Sequence, residues 1–328
     1  MKVLSQKFFD FKPSLFIRII INRKREILMT INTKLQIVKK AGRIGAEVHG
    51  VKLTADLDGA IFTQIQEALK DNLVLFFRGQ QHLDDASHEL FAERFGQLFK
   101  HPTVPAKENT KAIFELNSEH GAKANTWHTD VTFVPAVPRY SILRGVEIPS
   151  VGGDTVWSNT HTAYEDLPKE LKYLAENVWA VHSNKFDYAA FAYLQQSKEH
   201  DSQKYLQYRD VFSANEFETR HPLVFLHPET NNKHLLLGGF IRQFEGYSTA
   251  QSTALYEILQ NYVTTLENTV RWNWQQGDLV IWDNLATQHY AIADYNEKRV
   301  VRRVTVSSNV PKSVDGVESS LISQSKQN

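Results

Sequence analysis

The feature that most limits the fold is a strand-like segment near the end of the chain, residues 299–307, which combines three arginines with four valines. Successive side chains of a strand point to opposite faces, so Arg299 and Arg303 share one face and Arg302 lies on the other. Whichever face is internal, at least one guanidinium points inward. Isolating such a charge from water is costly, so the segment predicts either structural ion pairs or a binding site for an anion.

Many short apolar segments, separated by turn residues and without internal repeats, precede this strand. Asp58 and Asp84 or Asp85 are placed to cap helices, and another helix is predicted from Ser252. The strand candidates are residues 73–77, 112–116, 140–147, 153–159, 222–226, 235–237, 270–274 and 279–282. Many short strands with helices outside them predict a mainly β protein, a jelly-roll barrel, rather than a doubly wound parallel sheet. The turn at Gly277 also predicts that residues 270–274 and 279–282 form a hairpin.

Four regions describe the predicted domain organisation. Residues 1–28 mix aromatic and aliphatic side chains with Lys and Arg; we interpret them as a non-core extension before a start at Met29, with an amphipathic organelle leader as the alternative. Residues 29–328 are expected to form one domain. Within it, residues 184–220 lack a clear periodicity and are interpreted as an active-site lid or a mobile insertion. The polar tail from about 312 to 328 is expected to be frayed.

Composition excludes several classes of partner. The chain has 37 basic and 37 acidic residues, so no net field favours nucleic acid or an anionic membrane. It has no cysteine, which excludes disulfides, thiolate metal sites and a cysteine nucleophile. No apolar run reaches the roughly 18 to 20 residues needed to span a membrane. A cytoplasmic protein is therefore expected, since the lack of disulfides suits a reducing compartment.

Three residues form a candidate metal site. His128 and Asp130 are two apart, so both side chains leave the same face of an extended strand. His289 follows residues 280–284, which places it at a strand end or in the next turn, and it could supply a third ligand. Two imidazoles and one carboxylate on one side of a metal are typical of non-haem Fe(II) oxygenases, although a His-x-Asp pair by itself is more often polar surface. His101, before Pro102, could donate to an anion near this site or be a helix C-cap.

Motifs in four parts of the chain resemble those of one enzyme family. They are residues 125–133 around the His-x-Asp pair, 152–157, 281–290 and 299–303. In order and type they resemble the taurine dioxygenase (TauD/TfdA) family of Fe(II)/2-oxoglutarate enzymes, over roughly residues 35–311. The resemblance implies a double-stranded β-helix in which His128, Asp130 and His289 hold Fe(II), with O2 as a further substrate. It also implies that Thr155 and Arg299 hold the distal carboxylate of 2-oxoglutarate.

Within that family, residues 179–184 and 266–272 resemble the alkylsulfatase dioxygenases. This branch implies that His101, Arg303 and the backbone N–H of Val131 bind a sulfate group, with no catalytic residue beyond the metal triad. Taurine enzymes carry a tyrosine where this chain has Val104 and an asparagine where it has Ala124. Neither side chain here can hydrogen-bond an ammonium, which would be left unpaired, so an alkyl chain suits the site better.

The resemblance therefore implies oxidative cleavage of an alkyl sulfate ester to an aldehyde and inorganic sulfate, with succinate and CO2 as co-products. The nearest alternative is the same chemistry on taurine or another alkylsulfonate. Two further alternatives are a zinc-dependent sulfate-ester hydrolase, for which no general base is evident beside the triad, and a non-catalytic barrel that binds an anion. We also expect a homo-oligomer, either a dimer or a tetramer.

Overall fold

The computed structural model describes residues 34–120, 124–185, 211–212 and 214–326. The predicted extension 1–28 and most of the predicted lid, 184–220, lie outside the described residues. Within the described part the helices are α1 (Gly59–Asn72), α2 (Asp85–Glu93), α3 (Thr160–Glu165), α4 (Lys169–Glu176) and α5 (Thr249–Val263). None of these helices is long and apolar enough to cross a membrane.

The largest sheet has eight strands, and its neighbours are antiparallel apart from one parallel pair, β2 with β3. In spatial order they are β1 (Gln36–Lys39), β2 (Ala46–His49), β3 (Val74–Phe77), β14 (Leu279–Asp283), β6 (Tyr140–Glu147), β16 (Val300–Val306) and β4 (Leu98–Phe99), with β5 (Phe114–Asn117) also paired to β16. The arginine-bearing strand β16 therefore lies inside this sheet, with neighbours on both edges.

Three smaller sheets complete the described strands. The first contains β13 (Thr269–Trp272), β7 (Thr155–Asn159) and β15 (Thr287–Ala291). The second contains β12 (Ile241–Phe244), β8 (Trp179–Ser183), β9 (Asn215–Pro222) and β18 (Ser320–Lys326). The third contains β11 (Lys233–Leu235), β10 (Val224–Leu226) and β17 (Lys312–Ser313).

The core lies on both faces of the large sheet, which explains why β3 is a continuous apolar run. Leu75 and Phe77 of β3 pack with Ile65 of α1 on one face. On the other face Phe76 packs with Trp157 and stacks on Trp272, with ring centres 4.3 Å apart. Helices thus cover one side of the sheet and a second layer of strands covers the other, which is the predicted jelly roll with flanking helices.

The helix starts follow the capping residues in the sequence. The Asp58 carboxylate accepts hydrogen bonds from Ala60 N (2.8 Å) and Ile61 N (3.3 Å), and so satisfies two donors that the first turn of α1 leaves free. Asp84 and Ser87 form a reciprocal capping box at the start of α2. The predictions of both helix starts are confirmed.

The predicted hairpin between residues 270–274 and 279–282 is wrong. β13 pairs with β7, whereas β14 pairs with β3 and β6 in the large sheet. The connection is therefore a corner between the two layers. The Asp278 carboxylate stabilises this corner by accepting hydrogen bonds from Trp272 Nε1 (3.1 Å) and from Gln275 N (2.8 Å). Turn residues between two strands indicate that the chain reverses, but not which strands pair afterwards.

The predicted frayed tail, 312–328, is also wrong over its described part. β17 pairs with β10, and β18 pairs antiparallel with β9 along the edge of the four-stranded sheet. Backbone hydrogen bonds to neighbouring strands hold this tail in place. Its side chains are mostly polar, so the sequence shows no apolar alternation that would predict a strand. Residues 215–220, at the end of the predicted lid, likewise lie in β9.

We predict that deleting residues 320–328 lowers the free energy of unfolding by about 3 kcal/mol or more. β18 makes six registered pairs with β9, and each lost backbone hydrogen bond contributes roughly 0.5–1.5 kcal/mol net. Urea unfolding followed by tryptophan fluorescence measures the loss. Deleting only residues 327–328 is the control and should leave the midpoint unchanged; equal midpoints for both deletions would show that the tail adds no stability.

Candidate metal centre and anion sites

The structure brings His128, Asp130 and His289 together. His128 forms an isolated antiparallel bridge with His289 of β15, through hydrogen bonds between their backbones of 3.0 and 2.8 Å. Asp130 Oδ1 lies 3.6 Å from His128 Nε2 and 3.9 Å from His289 Nε2. The three donor atoms lie within 4.8 Å of one another, and all three residues are buried. The predicted strand around Trp127 is reduced to this bridge, because the chain turns at Asp130.

The donor set fits a divalent transition metal. His128 Nδ1 donates to the Thr126 carbonyl (2.7 Å), so Nε2 is the nitrogen that faces Asp130. Burial, and the neighbouring His128, lower the pKa of His289 well below its usual value, so the His289 ring is neutral at physiological pH. Two imidazole nitrogens and one ionised carboxylate on one side leave the opposite positions open to other ligands.

Asp130 is kept ionised by an arginine of strand β16. Arg303 Nη1 donates to Asp130 Oδ1 at 2.5 Å, and Ser141 Oγ donates to Oδ2 at 3.1 Å. Burial alone would raise the pKa of Asp130, but the Arg303 guanidinium holds that pKa well below its usual range. Arg302 points away and pairs with Glu115 (2.8 Å). Arg303 thus points inward and forms a structural ion pair, which is one of the two roles predicted for an inward arginine of this strand.

The backbone after Asp130 is strained. Val131 has φ of +56°, in the left-handed region that a β-branched residue rarely adopts. The Asn284 side chain holds the preceding residue from both sides, accepting from Asp130 N (2.9 Å) and donating to Asp130 O (3.1 Å). Asn284 thereby fixes the turn that carries both the carboxylate and the Val131 N–H.

Two buried histidines hold the other end of this turn. His182 of β8 hydrogen-bonds the Thr132 hydroxyl through Nδ1 (2.8 Å), and His221 of β9 donates from Nε2 to the Thr132 carbonyl (2.7 Å). Burial lowers the pKa of His221 to about 4, and the pKa of His182 also falls well below its usual value, so neither ring is charged. Such neutral, fully buried rings position a backbone without adding charge to the metal centre.

Arg299 lies in a separate cleft with Ala124 and Tyr295. Its guanidinium is only 7% exposed and donates from Nε to the Gly153 carbonyl (3.1 Å). Among the described residues no carboxylate forms an ion pair with Arg299, and burial lowers its pKa. A buried, uncompensated guanidinium is a strong candidate for binding an anion.

Thr155 begins β7, two residues beyond the glycine that Arg299 contacts. Trp274 Nε1 donates to Thr155 Oγ1 (3.0 Å), which leaves the Thr155 hydroxyl proton free to be donated elsewhere. Thr155 is paired with Ala291, which lines the same cleft as Arg299. The structure thus places Thr155 and Arg299 at the same end of the barrel.

His101 presents a hydrogen-bond donor beside Arg303. Its Nδ1 accepts from Val104 N (3.0 Å) and Thr103 N (3.3 Å), so the neutral ring carries its proton on Nε2. Burial, reinforced by Arg303, lowers the pKa of His101 to about 3. Its ring stacks on Phe114 with centres 5.3 Å apart, and the Arg303 guanidinium lies 5.2 Å from that ring. The C-cap alternative is wrong, since α2 ends at Glu93.

The space next to these polar groups is apolar. Val131, Phe133 and Phe212 form a buried cluster against which Val104 and Phe240 pack. The Phe240 ring lies 6.3 Å from the His128 ring, so this apolar wall reaches the metal centre. An aliphatic chain could bury its surface here, whereas an ammonium would meet no acceptor on Val104.

Sequence reasoning missed the residues that support the site. Asn284, His182 and His221 carry the hydrogen bonds that fix the Asp130–Thr132 turn, and no role was predicted for any of them. Asn284 and His182 do fall inside the motif segments 281–290 and 179–184, which was a usable signal. His221 falls in none of those segments, so only the fold reveals it.

Comparisons with known proteins agree with this geometry. A model of the family described as taurine catabolism dioxygenase TauD, TfdA family matches residues 36–305. An alkylsulfatase of Acinetobacter baylyi is 53% identical over 286 residues, covering 87% of this chain and 89% of that protein. An alpha-ketoglutarate-dependent sulfate ester dioxygenase of Pseudomonas putida is 51% identical over 284 residues, covering 86% of this chain and 93% of that protein. Among solved structures, a taurine dioxygenase from Burkholderia xenovorans superposes with a TM-score of 0.73 at 33% identity, covering 88% of this chain and 95% of that chain.

Backbone strain at Val131 should reverse the usual order of stability between an alanine variant and a glycine variant. Glycine normally destabilises a chain relative to alanine by about 0.5–1 kcal/mol, but a left-handed φ costs an L-residue about 1–2 kcal/mol. We therefore expect Val131→Gly to be more stable than Val131→Ala, by about 0.5–1 kcal/mol in metal-free protein. The two variants differ only in the Cβ methyl group, so their difference reports mainly on the backbone.

Val134, in the same apolar cluster and without a positive φ, is the matched control. There Val134→Gly should be less stable than Val134→Ala. Urea unfolding of the four variants measures both differences, and the same sign at both positions would rule out strain at Val131.

Proposed function

The chain belongs to the taurine catabolism dioxygenase (TauD/TfdA) family, and we propose that it cleaves alkyl sulfate esters oxidatively. The products would be an aldehyde, inorganic sulfate, succinate and CO2. The observation that carries the proposal is the pair of inward arginines on one strand face, one beside the triad and one without an acidic partner among the described residues. The two curated relatives above 50% identity, named for alkyl sulfate or sulfate ester chemistry, support it.

We propose Fe(II) as the metal, held by His128 Nε2, Asp130 and His289 Nε2. When iron, 2-oxoglutarate and O2 are bound, they supply the oxidation that hydroxylates a C–H bond while 2-oxoglutarate is converted to succinate and CO2. His128 keeps its Nε2 lone pair available through the Thr126 carbonyl, and Asp130 is held ionised by Arg303. Asp130 and His289 thus need no proton transfer to become ligands.

The sulfate group would be bound by His101, Arg303 and the backbone N–H of Val131. His101 donates from Nε2 as a neutral ring, and Arg303 supplies the positive charge. The clamped turn holds the Val131 backbone in position beside Asp130. This arrangement fixes the carbon that bears the ester oxygen near the triad, so that orientation selects the C–H bond. The hydroxylated carbon then carries both OH and sulfate, and it collapses to the aldehyde as the C–O bond to sulfate breaks.

The second anchor, Arg299 with Thr155, would hold the distal carboxylate of 2-oxoglutarate. A carboxylate there compensates a guanidinium that has no ion-pair partner in the described part of the chain, and it can accept the free Thr155 proton. Charge-assisted bonds of this kind are roughly twice as strong as neutral ones, so the co-substrate would be held at its far end.

An alkyl sulfate fits the site better than taurine because the surfaces beside both arginines are apolar. Val104 packs with the apolar cluster of Val131 and Phe133, and Ala124 lies in the Arg299 cleft. An ammonium near either side chain would be desolvated without a partner. Alkylsulfonates without an amine remain the second candidate, since their anionic head would meet the same donors.

Turnover with and without oxygen tests the proposal directly. Protein loaded with Fe(II) should release sulfate from hexyl sulfate only when both O2 and 2-oxoglutarate are present, with one succinate formed per sulfate. Taurine should give little succinate. Sulfate release under anaerobic conditions would instead indicate hydrolysis, and succinate formation driven by taurine but not by hexyl sulfate would indicate a sulfonate dioxygenase.

Neighbouring arginines on strand β16 give a matched pair of variants. Arg303→Met removes the proposed sulfate ligand, whereas Arg302→Met removes an outward arginine bound to Glu115 and Asp85. A desolvated charge pair is worth about 2–5 kcal/mol, so we expect kcat/KM for hexyl sulfate to fall by roughly 30- to 4,000-fold in Arg303→Met. Arg302→Met should stay within a few-fold of wild type.

Because Arg303 also pairs with Asp130, Fe(II) affinity must be measured for both variants. A Kd for Fe(II) within tenfold of wild type in Arg303→Met would assign the loss to substrate binding. Wild-type kcat/KM in Arg303→Met would overturn the role of Arg303.

A further inference from the structure

A second cleft, of about 370 Å³, lies at the end of β14 and is lined by three histidines and two aspartates among other residues. It contains no member of the triad. The residues that matter here are Asp71 in the last turn of α1, His161 of α3, His227, His234 of β11 and Asp283. No role in the proposed reaction uses these histidines.

Two of the histidines keep a free ring nitrogen. His161 Nδ1 donates to the Lys233 carbonyl (2.9 Å), so Nε2 is the ring nitrogen left for another partner. His234 is 2% exposed, and its Nδ1 hydrogen-bonds Thr160 Oγ1 (3.0 Å), so Nε2 is again the nitrogen left over. A carbonyl or hydroxyl on Nδ1 is the usual outer partner of an imidazole that binds a metal through Nε2.

The third histidine is already committed. His227 Nδ1 accepts from the backbone N–H groups of Glu229 (3.4 Å) and Thr230 (3.3 Å), and its Nε2 donates to Asp283 Oδ2 (3.0 Å). Both of its ring nitrogens are therefore engaged. His227 forms part of the cleft wall and cannot become a ligand without breaking these bonds.

The spacing of the two available rings suits one shared ion. Their centres are 5.3 Å apart, with the ring planes inclined by 37°. Two imidazoles bound to one tetrahedral ion, with metal–nitrogen bonds of about 2.0–2.1 Å, have ring centres roughly 5 Å apart. Burial, with smaller contributions from His227 and His161, lowers the pKa of His234 well below its usual value, so that ring stays neutral and able to bind a cation.

The charge around the rings favours a cation. The carboxylates of Asp71, Glu229 and Asp283 line the same cleft, against a single lysine, Lys70. An anion would meet three carboxylates, which oppose it. Neutral imidazole nitrogens prefer borderline transition ions such as Zn²⁺ or Ni²⁺ over Mg²⁺ or Ca²⁺, which prefer oxygen ligands.

We propose that this cleft binds one divalent transition ion through the Nε2 atoms of His161 and His234, with water completing the coordination. The ion is distinct from the one at the triad. The site lies next to Asn284, the residue that clamps Asp130, since Asp283 and Ala286 on either side of it line the cleft.

The experiment is equilibrium dialysis of the purified full chain against Zn²⁺, with bound zinc counted per chain. We expect two equivalents for wild type and one for His161→Asn, whose amide can keep the hydrogen bond to the Lys233 carbonyl. The double variant His128→Ala/His289→Ala should lose the triad equivalent and retain the other. His49→Ala removes an exposed histidine and should retain both.

Three outcomes would overturn the proposal. One is a wild-type stoichiometry of one that disappears in the triad variant. Another is an unchanged stoichiometry in His161→Asn, and the third is loss of the second equivalent in His49→Ala, which would mean surface binding. As an independent check, Zn²⁺ should raise the Tm of the triad variant, and His161→Asn added to that variant should abolish the rise.

Discussion

A carboxylate buried in the barrel needs a positive partner, and the rest of the site depends on how Asp130 obtains one. In this structure Arg303 supplies the charge at 2.5 Å, while two imidazole nitrogens lie 3.6 and 3.9 Å from the same oxygen. A divalent ion held by the triad would neutralise that oxygen as well. The pull of Asp130 on the guanidinium would then weaken, and the positive charge of Arg303 would be available to an anionic substrate. Metal binding and substrate binding are therefore expected to be coupled through one carboxylate.

This balance of charge works only if the turn that carries Asp130 is rigid. The turn is irregular and includes a strained valine, yet it is clamped from several strands: by Asn284 after β14, by His182 from β8 and by His221 from β9. Strain of this kind persists only where the surrounding structure over-determines the backbone. The converging sheets of a jelly roll provide that surrounding structure, which places ligands on a loop with a precision that a loop alone would lack.

The difference between local patterns and long-range packing explains what could be predicted from the sequence. That Arg299 and Arg303 share one strand face followed from the two-residue period, and the family motifs implied that this face is internal. The His-x-Asp pair with His289 followed from ligand chemistry and the same motifs, because these are local patterns. The clamp did not follow, since His221 meets Thr132 only through tertiary packing. Strand β18 escaped prediction because backbone pairing with β9 needs no apolar alternation, and the β13–β14 hairpin failed because the two strands join different layers. Long-range partner choice is what a single sequence leaves open.

The spacing of the two inward arginines bears on the type of reaction. Arg299 and Arg303 are four residues apart on one face of an extended segment, so with a rise of about 3.3 Å per residue their Cα atoms are roughly 13 Å apart. The Arg303 guanidinium bonds Asp130 of the triad, whereas Arg299 lies in a separate cleft, so each guanidinium needs its own anion. A sulfate-ester hydrolase or a simple anion-binding barrel has one anionic ligand, which would leave Arg299 buried without compensation. A reaction with two anionic substrates, a sulfate ester at Arg303 and a dicarboxylate with its far end at Arg299, satisfies both charges at once.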